Sequence, residues 1–371
     1  MSCGLYIHIP YCKRKCRYCD FYSLSGRRGV PDRYVDRVLE EISSYGDLCF
    51  DTVYFGGGTP SLLEPIQVER ILIAVQTAPG AEITLEANPD SLDPDKLAGY
   101  RKAGVNRLSI GVQSADDRQL EILGRLHDRK QAEEAFRMAR RAGFENINGD
   151  VMLGLSDYTS EEMKRTIDLL VDGGATHISA YMLKIEEGTP FWTDPPEHLS
   201  TEEELTAFYL EACRYLEEKG FCQYEISNFA REGYESRHNL IYWNLEDYLG
   251  IGPAAYSCMN GRRFHYPRDL DAFMDGKGPI EDGTVDADEF IMLSLRLTEG
   301  LDLAVLKDRW GLVLPSRLMK RLAEYEKSGL LTVSDGRVRL TARGFLVENY
   351  ISSDIMRNAV SAKDTEREEK D

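Results

Sequence analysis

The feature that most constrains the fold is an alternation of short β-rich runs and helical stretches through the first 230 residues. Candidate strands span residues 5–9, 52–55, 82–87, 107–112, 147–153 and 177–182. Between them, apolar residues recur at helical spacing, as in 34–42 and 66–75. Strands separated by helices of this length form βαβ units, in which the strands are parallel and the crossovers right-handed.

About six such units predict a partial (β/α)6 TIM-like barrel of parallel strands. A doubly wound open sheet is the alternative, because periodicity alone does not separate the two architectures. In both, functional groups lie at the carboxyl ends of the strands and in the loops that follow them. Functional motifs are therefore expected at those positions.

From about Val285 the pattern changes to helices followed by a hairpin, whose Asp335-Gly336 pair is a strong tight-turn signal. This predicts a winged-helix-like α+β module that either binds DNA or packs against a partner. We predict a barrel domain at 1–230, a connecting segment at 231–284, the module at 285–356, and a disordered polar tail at 357–371.

The overall charge narrows the choice of partners. Acidic residues outnumber basic ones 63 to 45 and give a net charge of −18. Such a surface repels nucleic acid, which favours a small molecule or a protein as partner and a packing role for the C-terminal module.

No apolar run approaches the roughly 20 residues that span a bilayer, and the first residues lack a signal-peptide pattern. We expect a cytoplasmic location.

Three cysteines follow the first strand with the spacing C-x3-C-x2-C: Cys12, Cys16 and Cys19. Three thiolates on one loop can each bind one iron of a cubane cluster and leave the fourth iron open to another ligand. A zinc knuckle completed by His8 or by a distant cysteine is the alternative. The other five cysteines are scattered, as small buried apolar residues are.

Polar and glycine-rich motifs follow the next strands. The run 56–60 reads Gly-Gly-Gly-Thr-Pro, and consecutive glycines let a ligand approach the backbone and its N–H groups. Glu86, Gln113, Arg125 and Asp150 lie at or near the ends of the following strands. Each alone could be a capping or salt-bridging residue, but together they provide the polar groups that a nucleoside site requires.

The three-cysteine motif after a first strand resembles the signature of the radical S-adenosylmethionine (SAM) superfamily. The resemblance implies a [4Fe-4S] cluster whose open iron binds the amino and carboxylate groups of SAM. One electron from the cluster can then cleave SAM to a 5′-deoxyadenosyl radical. It also implies a set of SAM contacts: Tyr6, Gly57, Gly58, Thr59, Glu86, Gln113, Arg125 and Asp150.

Within that superfamily, the order of motifs from Tyr6 to about Gly300 resembles the anaerobic coproporphyrinogen III oxidase group. Its oxidase branch has a further cysteine where this chain has Phe21, and a longer segment before the cluster motif than the eleven residues found here. Residues 238–243 read His-Asn-Leu-Ile-Tyr-Trp and match the H-N-x-x-Y-W signature of the HemW haem-chaperone branch.

The haem-chaperone branch implies a protein that binds haem and delivers it to apoproteins such as respiratory enzymes, with membrane association only through partners. Candidate haem contacts are His238, Tyr242 and Trp243, since neutral imidazole ligates haem iron and aromatic rings offer flat surfaces. A packed, hydrogen-bonded histidine is the simpler interpretation of His238. The alternative function is an oxygen-independent coproporphyrinogen III oxidase-type enzyme. SAM cleavage in turnover is left open.

Overall fold

The structure is a computed structural model that describes residues 3–46 and 48–363. The chain divides into two compact units, each described here by itself. The first unit contains the residues up to Cys222, with 229–241 and 246–283. The second contains 223–228, 242–245 and the chain from Thr284 onwards.

The strands and helices are numbered in chain order. The strands are β1 (Cys3–Ile9), β2 (Cys49–Gly57), β3 (Gln76–Ala87), β4 (Arg107–Gln113), β5 (Asn146–Leu153), β6 (His177–Met182), β7 (Cys222–Gln223), β8 (Asn228–Ala230), β9 (Asp247–Ile251), β10 (Tyr256–Met259), β11 (Arg262–His265), β12 (Ile280–Thr284), β13 (Leu301–Asp302), β14 (Leu312–Val313), β15 (Leu331–Ser334), β16 (Arg337–Leu340) and β17 (Val360–Ser361). The helices are α1 (Asp32–Ser44), α2 (Pro65–Ala74), α3 (Pro94–Ala103), α4 (Asp117–Leu123), α5 (Arg129–Arg141), α6 (Ser160–Asp172), α7 (Pro190–Thr193), α8 (Glu202–Glu218), α9 (Arg237–Trp243), α10 (Leu270–Met274), α11 (Ala287–Leu295), α12 (Leu303–Trp310), α13 (Ser316–Lys327), α14 (Ala342–Phe345) and α15 (Glu348–Asn358).

The main sheet of the first unit is built from β1 to β6, which lie side by side in chain order. Each strand pairs in parallel with the next, so every neighbour in space is also the neighbour in sequence. A doubly wound sheet would instead reverse its strand order at a switch point. The predicted partial barrel is therefore confirmed, and all six predicted strands are present.

Beyond β1 the sheet continues into β9, which is parallel to β1, and then into the antiparallel strands β10 and β11. These strands belong to the segment 231–284, which the sequence predicted only as a connection. The sequence missed them because β9, β10 and β11 follow one another without helices between them, so the alternation of strands and helices does not mark them.

Strand β4 shows how the sequence builds a polar barrel interior. Leu108, Ile110 and Val112 are fully buried, as the helix-facing side of a barrel strand requires. The alternate residues 107, 109, 111 and 113 line a cavity inside the barrel. The period-2 pattern thus separates an apolar outer face from a functional inner face.

In the second unit, α11 to α15 accompany the small sheet β13-β16-β15. The predicted hairpin is present, with Asp335 and Gly336 both at positive φ in its turn. The predicted disordered tail, 357–371, needs correction at its start: α15 extends to Asn358, and β17 pairs with β14. Residues 364–371 of that tail lie outside the described residues. Of the described helices, none is long and apolar enough to cross a membrane.

Candidate functional site

The cysteine loop follows β1 and is fixed at several points by backbone hydrogen bonds. The N–H of Cys12 donates to the carbonyl of Leu24 at 3.0 Å, and the N–H of Arg17 donates to the carbonyl of Leu123 at 3.0 Å. Cys12 is buried, whereas Cys16 and Cys19 are partly exposed. All three line the same cavity at the carboxyl ends of the strands.

Polar side chains, among them Thr59 and Arg125, are directed at the cysteine sulfurs. The hydroxyl of Thr59 donates to Cys12 Sγ at 3.4 Å, and Nη1 of Arg125 donates to Cys16 Sγ at 3.5 Å. Burial raises the pKa of the Cys12 thiol and raises that of Cys19 to about 11. A coordinated thiol is nevertheless deprotonated outright, and these two donors stabilise the resulting sulfur charge.

The zinc-knuckle alternative is not supported by the position of His8. Its Nε2 donates to the carbonyl of Tyr22 at 2.8 Å, and its Nδ1 lies 3.1 Å from the hydroxyl of Tyr6, so both ring nitrogens are engaged. Among residues 3–46 and 48–363, no three His, Cys, Asp or Glu side chains converge on one ion. A cubane does not need such convergence, because each thiolate binds a different iron.

The glycine run packs directly against the cysteine loop. A Cβ on Gly57 would lie 2.5 Å from the ring of His8, and Gly57 has a φ of 110°. A Cβ on Gly58 would lie 2.8 Å from backbone oxygens of the loop. Only glycine fits at these two positions, because the two segments approach so closely.

The backbone N–H groups of this run are not free for an anion, which corrects our expectation from the sequence. Gly57 donates to Oε2 of Glu86 at 3.2 Å. Gly58 donates to the carbonyl of Ile9 at 2.9 Å, and Thr59 donates to that of Tyr11 at 2.8 Å. The run therefore supports the cysteine loop and leaves ligand binding to neighbouring side chains.

A cavity of about 480 Å³ opens beside the three cysteines. Its volume lies within the range of small-molecule sites. The predicted residues that line it are Gly57, Gly58, Thr59, Glu86, Gln113, Arg125 and Asp150. Tyr6, which was also predicted, is not among the described lining residues; its ring packs on Tyr54 and its hydroxyl contacts His8.

Four acidic residues line the cavity, and burial perturbs two of them, Glu86 and Asp150. Burial raises the pKa of Glu86 to about 7, although the Tyr54 hydroxyl donates to its carboxylate at 2.8 Å. Burial also raises the pKa of Asp150, which accepts from Asn148 Nδ2 at 2.7 Å. A cationic or hydrogen-bond-donating ligand in the cavity would therefore stabilise the ionised form of both carboxyl groups.

Arg107 and Asn148 also line this cavity, although the sequence did not single them out as site residues. Arg107 is almost fully buried, and its Nε has no hydrogen-bond partner. Its positive charge acts against the effect of burial and so limits the rise in the pKa of Glu86 and Asp150. The available signal was period-2 spacing, because Asn148 precedes Asp150 by two residues and therefore shares its face of β5.

Arg125 connects the cysteine loop to the strand ends. Besides Cys16, its guanidinium contacts Oδ1 of Asn88 at 2.7 Å and the carbonyl of Gly111. Arginine keeps its charge in such surroundings. It therefore supplies a fixed positive charge between the sulfurs and the cavity.

His238 does not lie at the cavity. Its side chain is 1% exposed and stacks on Tyr54, with 5.0 Å between ring centroids. Its Nδ1 shares a 2.6 Å hydrogen bond with the hydroxyl of Thr52, and its backbone N–H donates to the carboxylate of Glu82. Thr52 and Glu82 precede the cavity residues of their strands, so His238 lies toward the opposite end of the barrel. Burial lowers its pKa to about 3.

His238 is thus a packed, hydrogen-bonded histidine. Tyr242 and Trp243 are partly buried residues of the second unit. The guanidinium of Arg296 lies 4.8 Å from the centre of the Trp243 ring. Within the first unit, His238 is therefore not part of an exposed surface.

Comparison with known proteins gives the family. Residues 6–170 match the radical SAM superfamily and residues 282–347 match the HemN C-terminal domain. The heme chaperone HemW of Bacillus subtilis is 34% identical over 370 residues, which cover 93% of this chain and 97% of that protein. Escherichia coli HemW is 37% identical over 319 residues, 80% of this chain and 83% of its own length.

This chain belongs to the HemW family of radical SAM proteins. Coproporphyrinogen III oxidase (HemN) from E. coli has the same fold, with a TM-score of 0.81 at 22% identity over 95% of this chain and 89% of that enzyme. The radical SAM family implies a [4Fe-4S] cluster and SAM. Three cysteines beside a cavity of suitable volume, with several polar side chains in its lining, fit both groups.

Proposed function

We propose that this protein is a haem chaperone, which binds haem and delivers it to apoproteins such as respiratory enzymes. The observation that carries the proposal is similarity to heme chaperone HemW proteins along almost the whole chain. With a net charge of −18, we expect no nucleic-acid partner, and contact with membranes only through partner proteins.

In this proposal Cys12, Cys16 and Cys19 hold the [4Fe-4S] cluster, and SAM occupies the adjacent cavity. A cluster held by these three cysteines would supply one-electron reducing chemistry to SAM in the cavity beside it. Thr59 and Arg125 donate to the sulfurs and so stabilise their charge.

The cavity side chains would orient the nucleoside. Glu86 and Asp150 can accept hydrogen bonds from hydroxyl or ammonium groups, and Gln113 can donate as well as accept. Tyr6 is assigned a supporting role, because it holds His8 and Tyr54 rather than lining the cavity.

The second candidate is an oxygen-independent coproporphyrinogen III oxidase-type enzyme, which the shared HemN fold favours. A fold is compatible with many functions and does not decide between these two. Phe21, where the oxidase branch has a further cysteine, is 65% exposed at the cavity and offers no thiol. We therefore place the chaperone first.

The test uses anaerobically reconstituted full-length protein. Haem should bind at close to one per chain and should transfer to a haem-free apoprotein. The absorbance of the recipient protein measures this transfer. In parallel, coproporphyrinogen III with SAM and a reductant should release no carbon dioxide. Absence of haem binding, or robust SAM-dependent release of carbon dioxide, would overturn the chaperone proposal.

A further inference from the structure

The histidines of this chain differ sharply in their access to an external iron atom. Of the six histidines, four are buried: His8, His127, His177 and His238. Each uses at least one ring nitrogen for a contact with the protein. A haem that approaches from solvent cannot reach these rings without displacing packed neighbours. Two histidines, His198 and His265, remain.

His265 is the last residue of β11 and lies directly across from Tyr256 in the antiparallel pair β10–β11. The two rings stack at 4.9 Å between centroids, with 24° between their planes. The His265 side chain keeps 24% of its surface exposed, and Tyr256 is 50% exposed. The imidazole is therefore accessible, yet it is held by a neighbouring ring.

A carboxylate lies behind the His265 ring. Nδ1 is buried and lies 3.7 Å from Oδ2 of Asp282, an ion-pair distance rather than a hydrogen bond. Since the two ring nitrogens lie on different edges of the imidazole, Nε2 points away from that carboxylate. Metal-binding histidines commonly donate their other N–H to a carboxylate, which orients the ring and raises its basicity. A small rotation would complete such a pair here.

The surroundings suit a porphyrin. Strand alternation places Ile280 on the same face of β12 as Asp282, and Ile280 is 51% exposed. The same alternation places Arg263 on the face of β11 that carries His265. Exposed apolar groups can cover the ring of a haem, and a guanidinium can pair with a propionate.

We propose that His265 is an axial ligand of the bound haem iron, through neutral Nε2, with Asp282 orienting the imidazole and Tyr256 bracing it. The inference deepens the proposed haem-chaperone function and rests on it. It assigns the ligand to the β10–β11 hairpin rather than to the 238–243 signature. His198, which is exposed and lies in a loop, is the control residue for the test of His265.

The test compares haem binding by wild-type protein and His265→Ala, both full-length and reconstituted. Because the cluster absorbs in the Soret region, coordination is followed by EPR of ferric haem and by resonance Raman of the iron–imidazole stretch. His265→Ala should weaken haem binding at least tenfold and lose the imidazole signature, which free imidazole should restore. His198→Ala should change neither affinity nor spectrum. Asp282→Asn should retain haem but lower the iron–imidazole stretching frequency.

The outcomes separate the inference from the function on which it rests. If the wild type binds no haem, the proposed function fails. If the wild type binds haem and His265→Ala keeps the same affinity and imidazole signature, the ligand assignment is wrong and the chaperone proposal stands. Circular dichroism checks folding, and His265→Gln, which keeps a polar side chain of similar size, replaces the alanine variant if that one unfolds.

Discussion

Replacing Glu86 with glutamine should make the protein more stable at high pH while weakening its binding of SAM. Burial raises the pKa of Glu86 from its ordinary value of 4.5 to about 7. Ionising this carboxylate in the folded state therefore costs free energy that the unfolded chain does not incur. Glutamine removes that cost, and with it the charge that a cationic ligand would meet.

Proton linkage gives the direction in which stability changes with pH. An acid whose pKa rises on folding destabilises the folded state above its unfolded pKa, so the penalty grows between pH 4.5 and about 7 and is complete above that range. Between about pH 5.5 and 8.5 the penalty increases by about 2 kcal/mol at 1.36 kcal/mol per pKa unit. An effective dielectric constant of about 20, rather than that of a dry interior, reduces the expected difference to about 1 kcal/mol.

The assay is urea unfolding of the cluster-free, reduced protein at these two pH values. The stability difference between Glu86→Gln and wild type should shift by about 1 kcal/mol in favour of the variant at the higher pH. Glu133→Gln, at an exposed helix position paired with Arg129 at 2.8 Å, is the matched control and should show no such shift. A pH-independent difference for Glu86→Gln, or a shift of opposite sign, would refute the reasoning.

Two further predictions concern the loop and its support. Reconstituted protein should carry about four irons and four sulfides per chain, and replacing Cys12, Cys16 or Cys19 with alanine should abolish the cluster. Iron and sulfide analysis of each protein checks this prediction, and tightly bound zinc in place of iron would contradict it. Gly57→Ala should destabilise the protein by about 2–4 kcal/mol, because left-handed backbone strain adds to a clash with His8. Gly80→Ala, also at positive φ but in open space, should cost only about 1 kcal/mol in thermal unfolding.

Local patterns account for what the sequence predicted well. The strands β1 to β6 are continuous enough to show their period, and the cysteine spacing lies on a single loop. Glu86 and Asp150 could be placed together because parallel strands bring their carboxyl ends to one edge. Each of these inferences needs only neighbours in sequence and the geometry of a βα unit.

The barrel interior depends on closure of the sheet, which no local pattern reports. Arg107 begins a strand and would be solvated in an open sheet, but in the barrel it is buried among side chains of other strands. Its charge then acts on Glu86 and Asp150, far away in sequence. Period-2 spacing puts Arg107 on the same face of its strand as Gln113, but it does not report how deeply that face is buried.

His238 shows why a motif match and a physical role can differ. Its ring is buried, stacks on Tyr54 and shares a hydrogen bond with Thr52. For this imidazole to ligate iron, those contacts would have to break, and a buried polar partner left unpaired costs about 1–3 kcal/mol. The same contacts explain the residue without haem, because they join α9 to β2 and, through the backbone N–H, to Glu82 on β3. A His238 variant should therefore lose stability more than haem affinity, whereas a variant of the partly exposed His265, the proposed ligand, should lose haem affinity more than stability.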